Sequence, residues 1–135
     1  MATSTIKYLG DLRTEATHVA SGETMITDAP TDNQGKGMAF SPTDTTATSL
    51  ATCMITTMGI AANNNGIKVK HMEGEVQKVM ASAPRRIAEI HVTLNLSIEP
   101  DNKETRDIMV RAGVNCPVAK SLHPEIVQDM KFNFE

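Results

Sequence analysis

The clearest pattern along the chain is a strict alternation of apolar and polar positions. Ile90, Val92, Leu94, Leu96 and Ile98 are apolar, and His91, Thr93, Asn95 and Ser97 stand between them. Successive side chains of a strand point to opposite faces, so this period predicts a long strand with one face on a core. Its other face is either wet or packed on a partner. A companion strand is predicted from Ile67 to Met80, joined through the turn-forming stretch Ala81-Ser82-Ala83-Pro84-Arg85-Arg86. Nearer the start, Ile6 to Leu9 and Arg13 to Val19 read as short strands around a Gly10-Asp11 turn. Ser21-Gly22 marks a second turn before a third strand at Glu23 to Thr27, giving a small antiparallel meander. Met130, Phe132 and Phe134 alternate as a closing strand.

Between the meander and the long strands the period changes. Asp28 to Met38 is rich in turn formers and predicts a loop, and loops this long often carry function. Ser41 then fits a helix N-cap, Pro42 the first helical position, and Asp44 stands three after the cap, close to a capping box. Leu50, Met54, Met58 and Ala61 recur at helical spacing, with Ser49, Cys53, Thr57 and Ile60 beside them. After Asp44 this helix of roughly twenty residues has almost no charge, which predicts a buried, central position. Asn63-Asn64-Asn65-Gly66 ends it. A second helix is expected over roughly Lys103 to Ala112, with Ile108, Met109 and Ala112 inward and Gly113 as its cap. Pro117 to Leu122 reads as a further helical turn. Strands grouped apart from helices give an α+β class.

Composition narrows the function. The 135 residues fit one domain, and 13 basic against 16 acidic residues leave a net charge of -3. That balance has no basic stripe for nucleic acid. No apolar run approaches a membrane span, and the first residues lack a signal-peptide core, so the expectation is a cytoplasmic protein without membrane contact. Nine methionines stand against three Phe, one Tyr and no Trp. Flexible thioethers must therefore fill core space that rings would otherwise occupy, which suits an adaptable interior.

The candidate chemistry rests on two cysteines. In a reducing compartment thiols are inert core residues or a working pair rather than a structural disulfide. Cys116 precedes Pro117, at the N-cap of the short helix, where free amides and the helix dipole favour a thiolate. Cys53 lies about three turns into its helix, beyond most of the dipole's help. It needs a cation from elsewhere, with Arg13, His18, Arg85 and Arg86 as candidates. Whether the two thiols meet is not deducible from their spacing. His18, His71, His91 and His123 have no ligand-like spacing, so no metal or other cofactor is expected. His91 falls on the polar face of its strand as an ordinary solvated histidine. Arg85 and Arg86 read as a solvated hairpin tip.

Taken together, Ser21-Gly22 through Thr27-Asp28-Ala29-Pro30, the helix start Phe40-Ser41-Pro42-Thr43-Asp44, the run Ser49-Leu50-Ala51-Thr52-Cys53-Met54 and the segment Asn115-Cys116-Pro117-Val118 resemble the OsmC/Ohr family of osmotically inducible and organic-hydroperoxide-resistance proteins. The resemblance covers nearly the whole chain as a single domain, residues 1–135. It implies an intertwined homodimer of α+β fold, with antiparallel sheets wrapping central helices and active sites at the dimer interface. It further implies that Cys53 attacks a small-molecule hydroperoxide and becomes a sulfenic acid. Cys116 then resolves it as a disulfide, and a dithiol reductant reopens the bond. The family's peroxidases carry a glutamate soon after the helix-starting proline, paired with an arginine of the meander. Here that position is Thr43, with Asp44 one step on as the acidic candidate of the site, about 100° further around the helix. His18 and Ser21 lie nearest the arginine position, and Arg13 comes earlier. A non-peroxidatic relative that binds a small apolar or thiol ligand at the dimer interface is the alternative the resemblance leaves open.

Overall fold

Residues 1–135 are all described by the computed structural model, which divides into two units, Met1–Thr46 and Ala47–Glu135. The first unit is the expected meander. Strands β1 (Ser4–Gly10), β2 (Arg13–His18) and β3 (Thr24–Asp28) form an antiparallel sheet in that order. Ile6 stands opposite Ala16 and Ala16 opposite Met25, so these apolar side chains share one face of the sheet. Tyr8 lies on the same face. Ile6, Tyr8 and Met25 are all exposed in the single chain. Beyond β3 a short 3₁₀ turn at Thr31–Asn33 interrupts the loop that leads to the first helix.

Helix α1 (Pro42–Asn64) begins in the first unit and runs on as part of the second. Its start is a reciprocal cap: the Ser41 hydroxyl accepts from the Asp44 amide at 3.0 Å, and the Asp44 carboxylate accepts from the Ser41 amide at 3.0 Å. Two orphan amides of the first turn are satisfied at once. The helix buries one stripe, Ala47, Leu50, Ala51, Met54, Met58 and Ala62. Ile60, expected beside the buried stripe, is instead 55% exposed in the chain. The helix is thus not buried all round; it presents a second, uncovered side. At its end Gly66 takes φ 65°, and the Ile67 amide bonds back to the Ala62 carbonyl at 2.9 Å, the left-handed stop that the Asn-Gly run predicts.

The second unit is built on β4 (Lys68–Ala81) and β5 (Arg86–Glu99), paired antiparallel as a long hairpin. The five alternating residues of β5 are the centre of the core: Ile90, Val92, Leu94, Leu96 and Ile98 are at most 2% exposed. Each such side chain stabilises the fold by about 1.5–3 kcal/mol as an upper bound. Helices α2 (Lys103–Val114) and α3 (Pro117–Ser121) follow, and β6 (Val127–Phe134) closes the sheet beside β5. β6 runs parallel to β5, so the second sheet is mixed, whereas antiparallel sheets were expected. The physical reason is the connection. A chain that crosses back through helices returns to the same end of the sheet and pairs parallel. α2 starts with a capping box between Asn102 and Thr105, and it ends at Asn115. Gly113 is therefore not the cap but the penultimate residue of the helix. It is buried where a side chain would meet Met58 of α1 and the Phe132 ring of β6.

Candidate functional site

The site is assembled within the second unit from α1 and the start of α3. Cys53 lies beside the buried stripe of α1, next to Met54 and half-buried. Cys116 is fully buried, at 0% exposure. It is the N-cap residue of α3, in extended conformation with Pro117 at the first helical position. Both cysteines are free thiols, and Cys53 lies near enough to Cys116 to act on its ionisation. The two thiols singled out in the sequence are therefore neighbours in the fold, although 63 positions separate them along the chain.

Their environments differ. Burial pushes the Cys116 thiol above its ordinary pKa, and the adjoining Cys53 sulfur pushes it further in the same direction. The backbone amides of Ala119 and Val118, at the start of α3, act the other way. The expectation that the helix entrance favours the Cys116 thiolate is thus overridden. Its amides do help, but burial wins.

The cations proposed to assist Cys53 have other engagements. Arg13 pairs with Asp28, directly across the β2–β3 ladder, through two contacts of 2.8 Å each. The buried Asp28 carboxylate also accepts from the Met38 amide at 3.2 Å, so it gathers the loop that leads to Ser41. The Arg13 guanidinium holds the Asp28 carboxyl below the usual carboxylate range. His18 bonds Ser21 at 2.6 Å, and Arg86 donates to the Ser82 and Pro84 carbonyls of its own turn. Asp44 is engaged in the cap of α1. The meander does contain an arginine–carboxylate pair, but its acid is Asp28 of β3 rather than a residue of the helix start. Sequence reading missed it because cross-strand register, not spacing, makes Arg13 and Asp28 neighbours.

Two further constellations escaped the sequence. His91 is not merely solvated. Its Nδ1 lies 2.8 Å from Asp129 and its Nε2 2.9 Å from Glu89, an arrangement that requires protons on both nitrogens and raises its pKa. The carboxylates take opposite sides of the ring, so the three groups do not converge as metal ligands, and no cluster in the chain does. On the inner side of β6, Gln128 donates to the Ala119 carbonyl of α3 at 3.0 Å. No helix is long and apolar enough to cross a membrane.

Comparison with known proteins gives this geometry its relatives. A comparison with curated protein sequences finds no match. Among solved structures, a protein of Psychrobacter arcticus described as an osmotic stress induced and detoxification response protein is 48% identical, with a TM-score of 0.92 over 98% of this chain and 96% of its own. An organic hydroperoxide resistance protein OsmC of Legionella pneumophila is 16% identical, with a TM-score of 0.72 over 98% of each chain. An organic hydroperoxide resistance protein of Vibrio cholerae, with captopril bound in one of the active sites, is 14% identical. Its TM-score is 0.71 over 98% of this chain and 92% of its own. The latter two likenesses are of fold. The family model for OsmC-like proteins matches residues 35–131, a span that holds α1, both cysteines and the whole second sheet up to Lys131. The chain belongs to the OsmC-like protein family.

Proposed function

We propose that the protein is a thiol-dependent peroxidase that reduces organic hydroperoxides by a two-cysteine cycle. The observation that carries this reading is the proximity of two free thiols, one half-buried and one fully buried, with Cys53 near enough to act on the ionisation of Cys116. Cys53, the more accessible sulfur, attacks the terminal oxygen of the hydroperoxide as a thiolate. The O–O bond breaks, the alkoxide leaves and takes a proton to become an alcohol, and Cys53 is left as a sulfenic acid. Cys116 then loses its proton and attacks the Cys53 sulfur. The S–S bond forms, the S–O bond breaks, and the leaving hydroxide is protonated to water. A dithiol reductant restores both thiols by exchange. Asp44 serves this cycle by fixing the start of the helix that carries Cys53.

The working form in this reading is a cytoplasmic homodimer, each chain contributing one OsmC-like domain. Support comes from apolar side chains left uncovered in the single chain: Ile6, Tyr8 and Met25 on one face of the first sheet, and Ile60 on α1. A second copy is the occupant that would bury them. The test is a dithiothreitol-driven assay of cumene hydroperoxide and hydrogen peroxide with the wild type and Cys53→Ser. Turnover with preference for cumene hydroperoxide, abolished in Cys53→Ser, is expected. Absence of turnover with both substrates would replace this reading with binding of a small apolar or thiol ligand at the dimer interface.

A further inference from the structure

The two-cysteine cycle explains which atoms react but not what holds the second thiol in place. α3 is a helix of five residues with no buried residue of its own, and no side-chain hydrogen bond caps its first turn. The amide of Cys116 reaches the Gly113 carbonyl at only 3.4 Å. Val118, Ala119 and Leu122 pack against the core, each still partly exposed. Ser121 bonds within the helix, to Pro117. One side-chain hydrogen bond ties the body of this helix to another element: Gln128 of β6, whose Nε2 donates to the Ala119 carbonyl at 3.0 Å. Ala119 is also the residue whose amide faces the Cys116 sulfur.

We propose that Gln128 is a positioning residue for the resolving thiol, holding Ala119 so that Cys116 stays within reach of Cys53 and keeps an amide directed at its sulfur. This rests on the two-cysteine reading above. Gln128 acts through one carbonyl, that of Ala119, and not on the reacting atoms themselves. β6 is suited to the task because its alternate side chains are both anchored. Gln128 grips α3 on one face, while the next residue, Asp129, bonds His91 of β5 on the other. The step that Gln128 governs is disulfide closure, in which the Cys116 thiolate displaces hydroxide from the Cys53 sulfenic acid. While closure waits, further hydroperoxide can carry the sulfenic acid on to sulfinic acid, so slower closure appears as overoxidation.

The experiment compares the wild type with Gln128→Met, which keeps the length but removes the donor, and Gln128→Lys, which returns a donor at similar reach. In single turnovers with cumene hydroperoxide, Gln128→Met is expected to consume the first equivalent at the wild-type rate. It should close the disulfide about three- to tenfold more slowly, the equivalent of one net neutral hydrogen bond. The sulfinic fraction seen by intact mass should rise accordingly, and Gln128→Lys should recover most of the closure rate. Separately, the pH profile of Cys116 alkylation by iodoacetamide, read in a Cys53→Ser background, should move upward with Gln128→Met. Unchanged closure together with an unchanged alkylation profile would overturn the proposal. If wild-type Cys53 fails to react with hydroperoxide, the peroxidase reading falls, while the alkylation profile still decides the role of Gln128.

Discussion

Gly113 offers the sharpest test of how α2 is seated, because two effects of known size oppose each other there. Placing a methyl group on a helical glycine stabilises by up to about 1 kcal/mol through helix propensity. In this structure, however, the new Cβ would lie 3.0 Å from the Met58 sulfur and 3.2 and 3.3 Å from two carbons of the Phe132 ring. Forcing extra volume into a packed core typically costs about 1–3 kcal/mol. Met58 can swing its flexible end away. The Phe132 ring, on a strand paired to the centre of the sheet, cannot yield as readily. The contact therefore outweighs the propensity, and Gly113→Ala should destabilise by about 1 kcal/mol net. Urea unfolding at fixed protein concentration should show a lower midpoint with an unchanged slope. Phe132→Leu in the same background should recover part of the loss, through a favourable coupling between the two sites. A Gly113→Ala variant that is more stable than the wild type by the full propensity gain would refute the close approach of α1, α2 and β6 at this point.

The remaining predictions concern the thiols and the ion pairs. Cys116→Ser should permit one turnover of hydroperoxide and then accumulate sulfinic and sulfonic forms of Cys53, read by intact mass; continued turnover without overoxidation would count against a resolving role. Asp44→Asn keeps an acceptor for the Ser41 amide, so hydroperoxide consumption should stay within about threefold of wild type on the scale of a single hydrogen bond; a loss of orders of magnitude would give Asp44 a part in the chemistry. His91 has a folded pKa raised above its ordinary value, with Asp129 the larger cause and Glu89 the second. Its contribution to stability is therefore fully present below about pH 6.5 and is lost as pH rises through the raised value. His91→Gln should remove that alkaline decline from the stability profile, and an unchanged profile would contradict the clamp. Asp28 runs the opposite way: its pKa is lowered, first by the Arg13 hydrogen bonds, so its contribution is present above about pH 4 and lost as pH falls through the lowered value. Asp28→Asn should flatten the acid limb of the same profile.

What could be read from the residues, and what could not, divides along a physical line. Strand β5 was legible because a sheet buried on one face imposes period two on its own sequence, and Ile90 through Ile98 obey it. The start of α1 was legible because Ser41 and Asp44 cap locally, and its end because Gly66 supplies a left-handed residue. Gly113 was misread as a cap because a glycine near a helix end has two uses, conformational and steric, and the steric one is set by Met58 and Phe132 from other elements. The parallel direction of β6 was invisible for a similar reason: Met130, Phe132 and Phe134 alternate alike whichever way the strand runs. Ile60 kept the helical period yet faces outward, on the side of α1 that the single chain leaves uncovered. At the candidate site, Cys53 and Cys116 stand out in the sequence, but their proximity, the Arg13–Asp28 register and the grip of Gln128 on Ala119 are tertiary facts. No local pattern encodes them.

The two-cysteine cycle requires that Cys53 and Cys116 close on each other after meeting a hydroperoxide. Reduced protein mixed with one equivalent of cumene hydroperoxide should lose two hydrogens in intact mass and yield a single peptide pair joined through Cys53 and Cys116, with the matching alcohol released in equal amount. Both thiols still free and alkylatable after the hydroperoxide is added, or a disulfide that joins either cysteine elsewhere, would contradict it.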